Sequence, residues 1–283
     1  MSAGPRQINA DLHCHSIVSD GTLTPVALVR RAHERGVQML ALTDHDELDG
    51  LAEAADEAVS LGLDFVPGVE VSVTWGGDTI HVLGLGVNVS DEALSQGLVR
   101  TRAGRDERAR LMGAALAVAG VPDAYEGALR HVGNPEMVAR THFARYIVEA
   151  GVCKNISQVF DRFLSEGKPG FVAHNWATLS EALGWIRGAG GTAVLAHPGR
   201  YRLDDTALHA LTARFRDEGG SAMEVVCGSH TPDQYRRFEK MALEYGLRGS
   251  RGSDFHGPGE GRVDLGDLPP LPDSIVPVWR DWM

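Results

Sequence analysis

Nine residues have the types and spacing to do metal chemistry: His13, His15, Asp20, His45, Glu70, His81, His197, Asp254 and His256. Each lies within or just beyond a short apolar run. His13 and His15 end the first such run, and side chains two apart on a strand point the same way, so both can face one centre. Asp254 and His256 repeat that alternation after Gly252. His45 sits in Thr43-Asp44-His45-Asp46, where polar side chains after the apolar stretch 38–42 are expensive unless they bind something. Glu70 ends the run 65–69, His81 lies inside 79–84, and His197 ends 192–196. Singly, each has an ordinary reading. An H-x-H pair can be structural, Asp44 or Asp46 can cap a helix beginning near Glu47, Glu70 can be a solvated edge residue, and His81 can be a core histidine. Together they exceed what one zinc requires, since such a site uses about three or four protein ligands. Two or three divalent metals sharing a carboxylate use them all. Imidazole with carboxylate admits manganese, the first expectation, as well as zinc or iron. The other six histidines fall on expected helices or loops and read as surface or packing residues.

Strand-like runs that can carry these residues are 8–13, 38–43, 64–69, 79–87, 192–197, 222–226 and 248–250. Helical patterns at 25–35, 47–61, 179–188, 205–217 and 232–245 alternate with them. Thr24-Pro25 and Thr231-Pro232 are helix starts, with an N-cap followed by proline at the first helical position. Repeated strand–helix units imply an α/β fold with a parallel sheet, open or closed into a barrel. In barrels, active sites gather at the C-terminal ends of strands, which is where most of the nine fall. Residues 90–170 break the alternation. Helices are expected at 91–119, 136–150 and 157–164, forming a small helical insertion beside the active face. Residues 1–89 and 171–283 then make the barrel. The segment 268–272, with three prolines, reads as irregular chain packed across the surface.

Composition narrows the function classes. Hydrophobic residues make up 43% and charged residues 23%, which suits a globular enzyme rather than a disordered chain or coiled coil. A net charge of −11 disfavours electrostatic wrapping of double-stranded DNA, while leaving room for a nucleotide or short RNA held by local arginines. Cys14, Cys153 and Cys227 are odd in number and widely spaced, which argues against a disulfide framework. Residues 1–9 show no long apolar leader and no run is long enough to span a bilayer, so a cytoplasmic protein with no membrane partner is expected.

The motifs His13-x-His15-x4-Asp20-Gly21, Thr43-Asp44-His45-Asp46, Gly68-x-Glu70, His81, Ala196-His197-Pro198 and Ser253-Asp254-x-His256 resemble, in order, those of the polymerase-and-histidinol-phosphatase (PHP) phosphoesterases. The resemblance implies a distorted (β/α)7 barrel, related to TIM barrels, with a trinuclear metal centre. Carried over, His13, His15, Glu70 and Asp254 hold one metal. Glu70, His81 and His197 hold a second, with Glu70 bridging, and Asp20, His45 and His256 hold a third. The stretches Thr101-Arg102-x-x-Arg105-x-x-Arg108, Arg140-Thr141-His142-Phe143-Ala144-Arg145 and Gly167-Lys168-Pro169 look like the branch of 3',5'-nucleoside bisphosphate phosphatases and 5'-3' exoribonucleases.

Arg102, Arg105 and Arg108 at i, i+3 spacing are expected to share one helix face. A lone arginine there reads as a solvated residue, but three near a phosphate site suit binding, because guanidinium forks match phosphate oxygens. Arg140 and Arg200 join them as substrate-binding candidates. Asp46 is a candidate substrate contact or proton donor, and His256 a metal ligand that can also touch the phosphate. The expected reaction is hydrolysis of the 3'-phosphate of a nucleoside 3',5'-bisphosphate by metal-bound hydroxide. The alternatives are a 5'-3' exoribonuclease on short RNA, a histidinol-phosphate phosphatase, and a non-catalytic binding barrel in which metals act as staples.

Overall fold

A computed structural model describes residues 8–282; residues 1–7 of the stretch read for a leader lie outside the described residues. The strands are β1 (Ala10–Asp11), β2 (Met39–Leu42), β3 (Asp64–Trp75), β4 (Asp78–Leu85), β5 (Ala177–Thr178), β6 (Thr192–Leu195), β7 (Ala222–Cys227) and β8 (Arg248–Gly252). Their order is β1-β2-β3-β4-β6-β7-β8, with β5 paired to β3. Leu12 N donates to Arg251 O at 3.0 Å and Asp254 N to His13 O at 2.8 Å, bringing the last strand back to the first. The result is a nearly closed, seven-stranded barrel.

Neighbouring strands are parallel except β4, which runs antiparallel to β3 and β6. That reversal positions a ligand. The connection between β3 and β4 is Gly76-Gly77, with φ of 62° and 96°, a pair that supplies the left-handed backbone a two-residue hairpin needs. His81 lies opposite Ser72 near the start of β4, and its carbonyl accepts from Ala196 N at 3.2 Å. The beginning of β4 therefore reaches the mouth formed by the ends of its neighbours.

The helices on the barrel are α1 (Pro25–Glu34), α2 (Leu51–Leu61) and α3 (Glu92–Arg102). Next come α4 (Arg105–Val118), α5 (Ala124–Leu129), α6 (Arg140–Glu149) and the short α7 (Ile156–Val159), which continues as a π-turn through Leu164, all within the stretch expected as an insertion. The chain returns to the barrel with α8 (Leu179–Gly188), α9 (Asp205–Asp217) and α10 (Pro232–Glu244). The Thr24 and Thr231 caps form as expected, accepting from Ala27 N and Gln234 N.

Several expectations are corrected. The helix expected from 47 begins at Leu51, with Gly50 before it and no side-chain cap, so neither Asp44 nor Asp46 caps it. The long helix expected at 91–119 breaks at Gly104, whose φ of 86° is left-handed. Arg102 thus ends one helix and Arg105 begins the next, and the three arginines do not line one face. The helix expected from 136 begins at Arg140, where His142 Nδ1 accepts from Ala139 N at 3.0 Å and caps the first turn. Leu94 and Leu98 of α3 belong to the barrel core, whereas Ala109, Met112 and Leu116 of α4 join Phe143, Ile147 and Leu164 in a separate core. The segment 268–272 is irregular and packed across the surface as expected, with Leu268 and Leu271 turned into the barrel core and Pro269 and Pro270 exposed.

Candidate metal centre

All nine candidate ligands converge at the mouth of the barrel. Three groups have ligand atoms within 4.8 Å of one another: His13, His15, Glu70 and Asp254; His15, Asp20, His45 and His256; and His45, Glu70 and His81. Glu70 divides its oxygens between two sides. Oε2 lies 3.1 Å from His13 Nε2, 3.2 Å from His15 Nε2 and 3.2 Å from His45 Nδ1. Oε1 lies 2.9 Å from both His81 Nδ1 and His197 Nε2, which are 3.3 Å apart. A carboxylate so placed would let one side chain serve two cations. Asp254 Oδ1 closes the first group at 3.5 Å from His13 Nε2 and 3.4 Å from His15 Nε2. Asp20 Oδ1 stands 3.3 Å from His256 Nε2 and 4.0 Å from His45 Nε2. The groups differ from the expected sets in that His15 and His45 each belong to two groups, and His197, expected with Glu70 and His81, belongs to none of the three although its Nε2 lies against Glu70 Oε1.

These residues fit divalent cations. Metal–ligand bonds of about 2.1 Å in tetrahedral or octahedral geometry place neighbouring donor atoms about 3.0–3.4 Å apart, close to the separations here. Glu70 Oε2, Asp254 Oδ1, His15 Nδ1, His45 Nδ1 and His197 Nδ1 are buried without a hydrogen-bond partner, and buried polar atoms left so are costly. A cation satisfies the two carboxylate oxygens at once. Burial works against ionisation of Glu70, but His45, His13 and His81 outweigh it and hold the carboxyl well below the usual range. Asp254 is likewise buried yet held low by Arg200 and His13, and Asp20 by His256 and His45. Burial and Arg200 push His197 down to about 3, keeping it a neutral donor. The backbone is strained in the same place: three of the four non-glycine residues with positive φ among those described are Asp46, His197 and Asp254.

One functional residue escaped the sequence analysis. Glu224, buried in β7, takes His13 Nδ1 at 3.0 Å on one oxygen and His197 N at 2.6 Å on the other. As acceptor at Nδ1 it would orient His13 with Nε2 toward Glu70 and Asp254, the usual role of a carboxylate behind a ligating imidazole. Its signal was a glutamate inside the otherwise apolar run 222–227, a position that is expensive without a partner. Tyr201 helps similarly, accepting from His81 N at 3.0 Å and donating to Ala196 O at 2.7 Å.

The arginines separate into two kinds. Arg102 donates to the Asp46 carbonyl at 2.6 Å and pairs with Glu47 at 3.2 Å. Arg105 pairs with the Asp46 carboxylate, which also accepts from Ser72 N at 2.7 Å and Ser72 Oγ at 2.8 Å. Asp46 is fully buried with its oxygens engaged, so the structure does not bring it forward as a substrate contact. Arg108 and Arg140, by contrast, form no ion pair among the described residues. Burial, reinforced by Arg140 and Arg105, pulls Arg108 down to about 9, and burial with Arg200 and Arg105 pulls Arg140 down to about 10. Arg105 and Arg108 also lie over the Trp176 ring. Arg200 pairs with Asp254 and lines, with His256, a cavity of about 870 Å³ between α6, α7 and the loop after β8.

A mouth of clustered imidazoles and carboxylates on a barrel of this topology defines a metal-dependent hydrolase. Residues 11–205 match the PHP domain, and the chain belongs to that family. It is 50% identical over 96% of both chains to a 3',5'-nucleoside bisphosphate phosphatase of Chromobacterium violaceum. It is 42% identical to a 5'-3' exoribonuclease of Haemophilus influenzae, over 95% of this chain and 97% of the relative. A solved structure of an amidohydrolase from Chromobacterium violaceum with bound sulfate superposes with a TM-score of 0.94 at 50% identity, covering 96% of this chain and 95% of that one. No helix among the described residues is long and apolar enough to cross a membrane.

Proposed function

We propose that this chain hydrolyses the 3'-phosphate of nucleoside 3',5'-bisphosphates, with three divalent metals, manganese foremost and zinc or iron admissible, held by the nine ligands. The observation that carries this reading is the pair Arg108 and Arg140, which have no ion-pair partner among the described residues, with Arg140 next in the chain to Thr141, whose hydroxyl donates to Asp20. Burial and mutual repulsion make an anion welcome there. A substrate with two phosphates can present one to the metal ligands and the other to these arginines. The similarity to the 3',5'-nucleoside bisphosphate phosphatase of Chromobacterium violaceum supports the same substrate class.

Bound divalent metals supply Lewis acidity and lower the pKa of water to about 7. The chain's own residues do the rest. Glu224 and Tyr201 hold His13 and the His81 backbone in place. Arg200, next to Asp254 on the cavity wall, is assigned to the oxygens of the phosphate being cleaved, where developing charge needs donors. His256 is assigned to metal and to contact with that phosphate. Asp46 is assigned to positioning, through Arg105 and Ser72. Three buried free cysteines accord with a cytoplasmic setting.

A second reading, 5'-3' exoribonuclease action on short RNA, is favoured by the size of the cavity, about 870 Å³, near the upper end of common ligand pockets. The test is to supply manganese-loaded protein with adenosine 3',5'-bisphosphate, a 5'-phosphorylated oligoribonucleotide and histidinol phosphate. Phosphate release from the first, leaving the 5'-monophosphate, is expected. Turnover of histidinol phosphate alone overturns the proposal, mononucleotides from the oligoribonucleotide alone establish the second reading, and no turnover at all leaves the metal-stapled binding barrel.

A further inference from the structure

We propose that helix α6 of the insertion sets one edge of the metal centre, with Thr141 and Arg145 as positioning residues for the ligand Asp20. The inference rests on the metal-centre reading above. Thr141 Oγ1 donates to Asp20 Oδ2 at 2.8 Å. That engages one carboxylate oxygen and leaves the other, Oδ1, facing His256 Nε2 at 3.3 Å, His15 Nδ1 at 3.8 Å and His45 Nε2 at 4.0 Å. Arg145, one turn further along the same helix and only 8% exposed, donates to the Asp20 carbonyl at 2.6 Å. Its guanidinium also forks onto Glu260, at 2.7 and 2.8 Å. Glu260 belongs to the loop that follows His256.

One helix therefore ties down the two loops that carry Asp20 and His256. An aspartate in a loop can rotate to offer either oxygen, and its backbone can move as well. Thr141 removes the first freedom and Arg145 the second, so the entropy of ordering the ligand is met before a metal arrives. The insertion has its own apolar core, in which Phe143, Ala144 and Ile147 anchor α6, so the helix is a rigid support. The insertion thus serves the metal centre directly as well as walling the cavity.

The test is manganese binding to the full chain, measured by equilibrium dialysis with elemental analysis on wild type, Thr141→Val, Thr141→Ser and Arg145→Met. Thr141→Val and Arg145→Met are expected to bind one metal equivalent at least about 10-fold more weakly, the usual scale for partners behind a ligand. The other equivalents should hold their wild-type affinity, which also reports that the barrel is folded, and Thr141→Ser should restore the weakened one. Unchanged affinity for every equivalent, or uniform weakening of all of them, overturns the proposal. A wild-type chain that binds no manganese instead removes the metal-centre reading on which it rests.

Discussion

Asp46 and Glu70 stand on adjoining segments at the barrel mouth, joined by a hydrogen bond from Asp46 N to the Glu70 carbonyl at 2.9 Å. Both are fully buried. Asp46 gives its oxygens to Ser72 and Arg105. Asp44 behaves similarly, accepting from Ser16 N at 2.8 Å and from the Ser16 and Ser19 hydroxyls at 2.6 Å each. Glu70 and Asp254 each keep a buried oxygen without a hydrogen-bond partner, set among imidazoles. Hydrogen-bond accounting thus separates Asp44 and Asp46, struts complete within the protein, from Glu70 and Asp254, each with an oxygen left for a cation.

The division makes opposite predictions for neighbouring residues. Glu70→Gln should lower turnover by more than the 10–100-fold typical of residues behind a ligand, and manganese should raise its melting temperature by less than in wild type, because the positions on both sides of Glu70 are weakened. Wild type should gain about 2.7 kcal/mol per site at a metal concentration 100 times the dissociation constant; a metal-induced rise as large as that of wild type in Glu70→Gln would place Glu70 among the struts. Asp46→Ala should cost about 3 kcal/mol of stability, because it strands the buried Arg105 guanidinium, while keeping the metal-induced rise. Denaturant unfolding with and without manganese checks both, and loss of the rise in Asp46→Ala would break the comparison. Glu224→Gln falls between them: metal affinity should drop about 10–100-fold, measured by competition with a chelating dye, with the fold intact. Arg140→Met should have the smallest effect, raising KM for a bisphosphate about 10-fold, in keeping with the loss of a charged hydrogen bond. It should leave a simple aryl phosphate almost unaffected, and an equal effect on both substrates would move Arg140 from the second phosphate to the first.

The clustering of the candidate ligands was legible in the sequence because strand alternation and the ends of apolar runs are local signals. His13 with His15 and Asp254 with His256 needed only a period of two. The struts were less legible because their partners are remote. Nothing near Asp46 indicates that Ser72 and Arg105, 26 and 59 residues away, take up its carboxylate. The arginine row failed for a local reason that was visible in hindsight. Gly104 lies between Arg102 and Arg105, and a left-handed glycine ends the helix on which the shared face depended. The antiparallel turn of β4 was missed as well, although Gly76-Gly77 is a hairpin signal, and with it the reason that His81 reaches the mouth from the beginning of its strand.

The central claim is that the unsatisfied oxygens of Glu70 and Asp254 mark metal positions. Anomalous scattering from manganese-grown crystals tests it most directly. The account predicts peaks on both sides of Glu70, one among His13, His15 and Asp254 and one between His81 and His197, with a further peak at Asp20 and His256. Manganese bound elsewhere, or an empty space between those imidazoles and Glu70 at saturating metal, would contradict it.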